Sequence, residues 1–194
     1  MTYLILGLLI FLGAHSVRIV APGWRDAQLA RRGENGWKGV YSLISIVGLS
    51  LVIWGFGLAR ADSPVLWSPP IWTRHLAASL TLPAFILLVA AYLPGSRIKA
   101  AVGHPMVAGV KIWALAHLLA NGTLADVTLF GAFLVWAVAN FIAARRRDRV
   151  AGRTYPVRGG PRDAAVVGIG FAAWALFAFF GHAWLIGVSH FRVG

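Results

Sequence analysis

Cysteine is absent from the 194 residues, and methionine occurs only twice. Without a thiol the chain has no disulfide, no thiolate metal site and no cysteine nucleophile. That leaves the six histidines, with the two methionines, as its only soft-metal ligands. Acid is scarce as well: six Asp and Glu stand against eighteen Lys and Arg, for a formal net charge of +12. The sequence offers no acid pair for hydrolysis, no His/Glu metalloprotease helix and no Gly-rich phosphate loop after a strand. Ser16 lies beside His15, but adjacent helical positions face about 100° apart and no carboxylate is near in sequence, so the pair is not the start of a triad.

Apolar residues are what the chain has in quantity, 59% hydrophobic against 12% charged, a balance that a water-soluble domain does not carry. Six segments approach the roughly 20 residues that about 30 Å of hydrocarbon demands. They run from Tyr3 to Val20, Tyr41 to Leu58, Ile71 to Leu93, Pro105 to Leu119, Leu124 to Ala143 and Ala164 to Val188. The expected fold is all-α: a polytopic membrane helix bundle of about six transmembrane helices, formed by residues 1–194 as a single integral membrane domain. The first segment has no basic residue before it and no clear small-x-small site after it, so it is expected to be a retained span rather than a signal peptide.

The basic residues lie in loops, where they set topology and meet anionic lipid; no nucleic-acid partner is expected. Arg18, Arg25, Arg31, Arg32 and Lys38 follow the first span, Arg97 and Lys99 the third, and a run of arginines from Arg145 to Arg162 the fifth. The opposite loops carry few, with Arg60 and Arg74 around the second loop and Arg192 near the C-terminus. The positive-inside rule therefore predicts cytoplasmic basic loops and both termini outside the cytoplasm of a bacterial inner membrane.

Local signals support these boundaries. His104-Pro105 opens the fourth helix with proline where a missing N–H costs nothing, and Asn121-Gly122 closes it with residues suited to a left-handed cap. The stretch WRDAQLARRGENGWKG predicts a short surface helix broken at Gly33. The segment RRRDRVAGRTYPVRGGPRD is expected to be a basic loop with no fold of its own.

Ionisable groups inside apolar spans cost on the order of 2.5–3.5 kcal/mol each and so mark sites of use. His75 and His190 fall at span ends and His104 at a helix start, where an interfacial side chain or a cap is expected. His15, His117 and His182 lie deeper. His104 and Lys111, seven residues apart, share one helical face, whereas His117 is about 220° around and roughly 20 Å along the axis from His104. His117 aligns instead with Trp113, Val110 and Met106, an apolar stripe with one nitrogen ligand at its end. In the predicted topology His15 and His117 differ in depth by roughly 8 Å, a gap that a tilted planar cofactor spans. A histidine on each of two facing helices is the usual way a bundle holds a b-type haem. With no CxxCH, covalent attachment is excluded. Lys111 is expected to snorkel, to pair with Asp126, or to meet a haem propionate or another anionic group.

The block GHPMVAGVKIWALAHLLANG with TLFGAFLVWA at 128–137 resembles the signature of the NnrU family, bacterial membrane proteins whose namesake is associated with denitrification genes. GAHSVRIV, WRDAQLARRGENGWKGVYSL and HAWLIGVS extend the likeness over most of the chain. The family is related to zeta-carotene isomerase, a membrane enzyme described as using haem b to turn a cis double bond trans. Its haem histidines, in an HS-containing first-span motif and in an AHLL motif, correspond to His15 and His117. A cysteine implicated in that enzyme has no counterpart, and Ala114 occupies the neighbouring turn.

The resemblance implies a haem b-binding inner-membrane protein linked to nitrogen-oxide metabolism, with a redox or denitrification partner protein. The alternatives are a haem-dependent isomerase of a carotene-like polyene and a small transporter or scaffold without haem. The expected iron ligands are His15 and His117, with Met106, Val110 and Trp113 around the ring. His104, Lys111 and His182 are second-tier candidates.

Overall fold

A computed structural model describes residues 1–186. The expected end of the sixth segment at Val188, together with His190 and Arg192, lies outside the described residues. The elements are α1 (Thr2–Val20), α2 (Pro22–Ala61), α3 (Trp72–Tyr92), α4 (Arg97–Val102), α5 (Pro105–Ala120), α6 (Leu124–Val150), α7 (Gly160–Leu176), a π-turn (Phe177–Gly181) and α8 (His182–Ile186). Among the described residues there is no strand, only an isolated bridge between Val65 and Thr123. The chain is an all-α membrane protein as expected; among the described residues five helices, the last of them Gly160–Leu185, are long and apolar enough to span, and α5 is a shorter apolar one.

Large apolar side chains point outward along these helices: Leu9, Ile53 and Val135 are each about two-thirds or more exposed (68%, 66% and 71%). Such faces are stable in lipid and not in water. The buried positions are mostly alanine, including Ala77, Ala78, Ala84, Ala90, Ala108, Ala114 and Ala116. Small residues let helix backbones approach, which is how membrane helices gain packing energy without a hydrophobic drive between them.

The chain divides into two compact units, Met1–Trp67 with Gly122–Asn140, and Ser68–Asn121 with Phe141–Gly194. In the first, α1 lies directly on α2. A Cβ built on Gly48 would fall 2.7 Å from the Phe11 backbone nitrogen, and one on Gly55 would strike the Leu4 backbone, so the two helices touch through bare glycine. The surface helix predicted after α1 is the first part of α2, and it breaks where expected: Gly33 has φ 69° and ψ 169°. The start of α6 is fixed by Asp126, whose carboxylate accepts from the Thr123 hydroxyl at 2.6 Å and the Thr123 N–H at 3.1 Å.

In the second unit α3 packs against both α5 and α7. Gly170 permits the α3–α7 approach, since a Cβ there would lie 2.7 Å from Ile86 Cα. Pro83 interrupts the hydrogen-bond ladder of α3. His104-Pro105 starts α5 as predicted. The left-handed cap expected at Asn121-Gly122 does not form. Asn121 is extended (φ −131°, ψ 139°), because its own backbone N–H and side-chain amide both donate to the His117 carbonyl and satisfy the helix end.

The segment expected to be a basic loop is helical at both ends, Arg145 to Val150 continuing α6 and Gly160 to Asp163 opening α7; the stretch between them is irregular but not independent. Arg158 N–H donates to the Gly95 carbonyl at 2.8 Å, and Tyr155 hydroxyl to Asp148 at 2.8 Å. Arg97 N–H donates to the Asp163 carboxylate at 2.7 Å at the start of α7. These long-range ties hold the loop to α4 and α6, which a local composition signal does not register.

Candidate functional site

The predicted stripe on α5 lines a cleft. Met106, Val110, Trp113 and His117 face a cavity of about 280 Å³, partly open, whose other walls come from α3 and the α7–α8 helix. Thr81 and Phe85 contribute from α3, Trp174 and Phe177 from the far helix, and His182 completes the lining. The volume sits just under the roughly 300–1,000 Å³ of small-ligand pockets, and its walls are apolar and aromatic with a few convergent polar groups, as such pockets are.

His117 is prepared for coordination. Its Nδ1 lies 2.8 Å from the Trp113 carbonyl, which can only accept, so Nδ1 carries the proton and Nε2 the lone pair. This backbone bond fixes both tautomer and ring orientation, the usual support of a metal-binding imidazole. The Trp113 indole, with its centroid 5.1 Å from the imidazole, limits the ring further.

His182 follows the π-turn. Its own N–H closes that turn on the Phe177 carbonyl, and its side chain is only 8% exposed. The Phe177 ring meets it edge-on at 5.9 Å. Trp174 is pinned by its indole N–H, which donates to the Ala78 carbonyl at 3.0 Å and the Thr81 hydroxyl at 3.2 Å.

His15 belongs to the other compact unit. It repeats the geometry of His117: Nδ1 donates to the Phe11 carbonyl at 2.7 Å, which leaves the lone pair on Nε2. Tyr41 and Trp136 flank it, with ring centroids at 5.1 and 5.9 Å. The Trp136 indole N–H is buried with no hydrogen-bond partner among the described residues.

Of the second-tier residues, His182 lines the cleft, and His104 and Lys111 fall elsewhere. His104 donates from Nε2 to Asp148 Oδ2 at 2.8 Å, the same oxygen that Tyr155 binds, with Arg153 Nε 3.9 Å from Oδ1. It is thus a structural partner of a buried carboxylate at the start of α5. Lys111 places its ammonium 3.8 Å from the centre of the Phe141 ring, a cation–π contact, while Asp126 caps its own helix. Burial, the bond to Asp148 and that carboxylate's charge together raise the Tyr155 pKa above its usual value, despite the opposing effect of Arg153.

Sequence reasoning did not single out Thr81, Phe85, Trp174 or Phe177. The available signal was tryptophan away from a span end, as at Trp113 and Trp174, because indoles favour the headgroup level unless something in the bundle engages them. No group of three or more His, Cys, Asp or Glu able to hold a metal ion occurs among the described residues, so an ion held by such side chains alone has no site there. A planar cofactor asks for less: one or two imidazoles and aromatic walls. The residues of the cleft fit that requirement.

These features define the class: a multi-pass all-α membrane protein with a histidine-bearing aromatic cleft inside one of its helical units. The sequence model of the NnrU protein family matches residues 3–190. The chain therefore belongs to the NnrU family. Comparison with curated proteins gave no match, and comparison with solved structures gave none.

Proposed function

We propose that this NnrU-family protein binds haem b in the cleft of its second unit and serves nitrogen-oxide metabolism from the bacterial inner membrane, with its basic loops cytoplasmic. The observation that carries the reading is the α5 stripe. Met106, Val110, Trp113 and His117 form one wall of a single apolar cleft, and His117 has its Nδ1 proton committed to a backbone carbonyl.

In this reading His117 would hold the haem through Nε2, and Trp113, Phe85 and Phe177 would exclude water from the cleft around it. Bound haem would supply one-electron redox or diatomic-gas chemistry that no side chain of this cysteine-free protein provides. Trp174, held by Ala78 and Thr81, fixes one wall of the cleft. His15, which the family resemblance pairs with His117, has the same prepared imidazole in the first unit. The denitrification link rests on the family resemblance, and a redox or reductase partner is proposed with it.

Protein purified in detergent from haem-replete cells is expected to show a Soret band that is lost or strongly weakened in His117→Ala. A folded but colourless preparation contradicts the proposal. A second reading, isomerisation of a carotene-like polyene, is favoured by the apolar character of the same walls. It predicts a changed carotenoid profile when the protein is expressed in cells that accumulate a cis precursor.

A further inference from the structure

The π-turn at Phe177–Gly181 places a buried histidine in the cleft that an unbroken helix would turn away. From Trp174 to His182 is eight residues, and at about 100° per residue a regular α-helix leaves the two side chains roughly 80° apart. The π-turn takes up one extra residue, as its i→i+5 bond from His182 N–H to the Phe177 carbonyl records. The effective rotation becomes about 700°, which brings His182 to within roughly 20° of Trp174. Both side chains line the same cleft.

The pattern of exposure follows. His182 is 8% exposed, while its apolar neighbours Phe180 and Trp184 are 70% and 85% exposed. A helix in lipid that turns a histidine inward and its neighbouring phenyl and indole groups outward has set that histidine toward a use in the bundle. Gly181 helps: a Cβ there would fall 2.9 Å from the Phe177 ring, so glycine leaves that ring room beside His182. π-turns within α-helices recur at functional sites because they re-aim a side chain at a small cost in backbone energy.

Resting on the haem reading above, we infer that His182 is the second axial ligand, facing His117 from the other wall of the cleft. The cofactor is then held entirely by the second unit, between α5 and the π-turned helix, with Phe177 and Trp113 each beside a ligating imidazole. The inference puts His182 in the role that the family resemblance gives to His15. His15 keeps its aromatic setting of Phe11, Tyr41 and Trp136 in the first unit, outside the iron's ligand set.

Electron paramagnetic resonance and absorption spectra of the full-length protein in detergent separate these assignments. Two imidazoles give a low-spin ferric centre. His182→Ala is expected to retain haem but become high-spin, and added imidazole is expected to restore the low-spin signal. His15→Ala is expected to stay low-spin. Should His182→Ala fail to fold, His182→Met keeps the side-chain length and offers a thioether. It is expected to raise the midpoint potential, as methionine–histidine ligation does.

Haem retained in His182→Ala with an unchanged low-spin spectrum, or an unchanged potential in His182→Met, overturns the inference and leaves the haem reading standing. A switch to high spin in His15→Ala alone does the same and restores the pair implied by resemblance. A parent protein without haem overturns both.

Discussion

Tyr155 shows how a single side chain ties the basic loop to the helices. Its hydroxyl donates to a carboxylate that is 7% exposed and also bound by His104, and this interaction favours the protonated phenol. A phenol whose folded-state pKa is raised contributes stability that is complete below its unfolded pKa, near 10. The contribution is lost as pH rises from there through the folded value. Tyr155→Phe is expected to lower stability by about 1.5–3 kcal/mol at neutral pH, the worth of a hydrogen bond to a charged group. It should also flatten the alkaline decline in melting temperature above about pH 10 relative to the parent. An identical alkaline decline in both proteins would show that Tyr155 titrates as it does in the unfolded chain. Asp148 is the residue that makes this cluster, and its only cue in sequence was a lone acid within an arginine run.

At the scale of elements, helix contact through glycine separates two kinds of position on α2. A methyl on Gly55 must push into the backbone of Leu4, and one on Gly48 into Phe11, whereas nothing lies within 4 Å of a Cβ on Gly57. Gly55→Ala is expected to cost about 1–3 kcal/mol by overpacking and to lower the melting temperature in detergent. Gly57→Ala is expected to be neutral or to stabilise by up to about 1 kcal/mol, from helix propensity alone. Equal effects of the two substitutions would contradict the α1–α2 contact described above.

The same scale shows what sequence can carry. Apolar run length located the long helices, proline located the start of α5, and glycine located the break at Gly33, because each is a local cause with a local effect. The 3.6-residue wheel also assembled Met106, Val110, Trp113 and His117 correctly, since α5 is regular over its whole length. It could not place His182. The π-turn changes the phase by one residue, and nothing in FAFFG announces it. Asn121 misled for a related reason: a residue that tolerates the left-handed region was used instead for its amide donor.

For the whole molecule, the two long-range questions are orientation and cofactor. The basic loops after α1, α3 and α6 predict cytoplasmic placement of those loops and both termini outside. Terminal reporter fusions active only in the periplasm are the expected result, and a cytoplasmic terminus would overturn that topology. Lys111 over Phe141 and the exposed apolar faces of α1, α2 and α6 fit burial of the bundle in lipid. The cofactor question turns on residues that sit apart in sequence, on α3, α5 and the α7–α8 helix, and only their shared cleft relates them.

The central claim, that the cleft holds haem through His117, is tested most directly by the absorption spectrum of the purified full-length protein from haem-replete cells, read alongside His117→Ala. The account predicts a Soret band with a b-type pyridine haemochrome in the parent and its loss in the variant, while both proteins remain folded by circular dichroism. A folded parent with no Soret absorption, or a variant that keeps the full band, would contradict it.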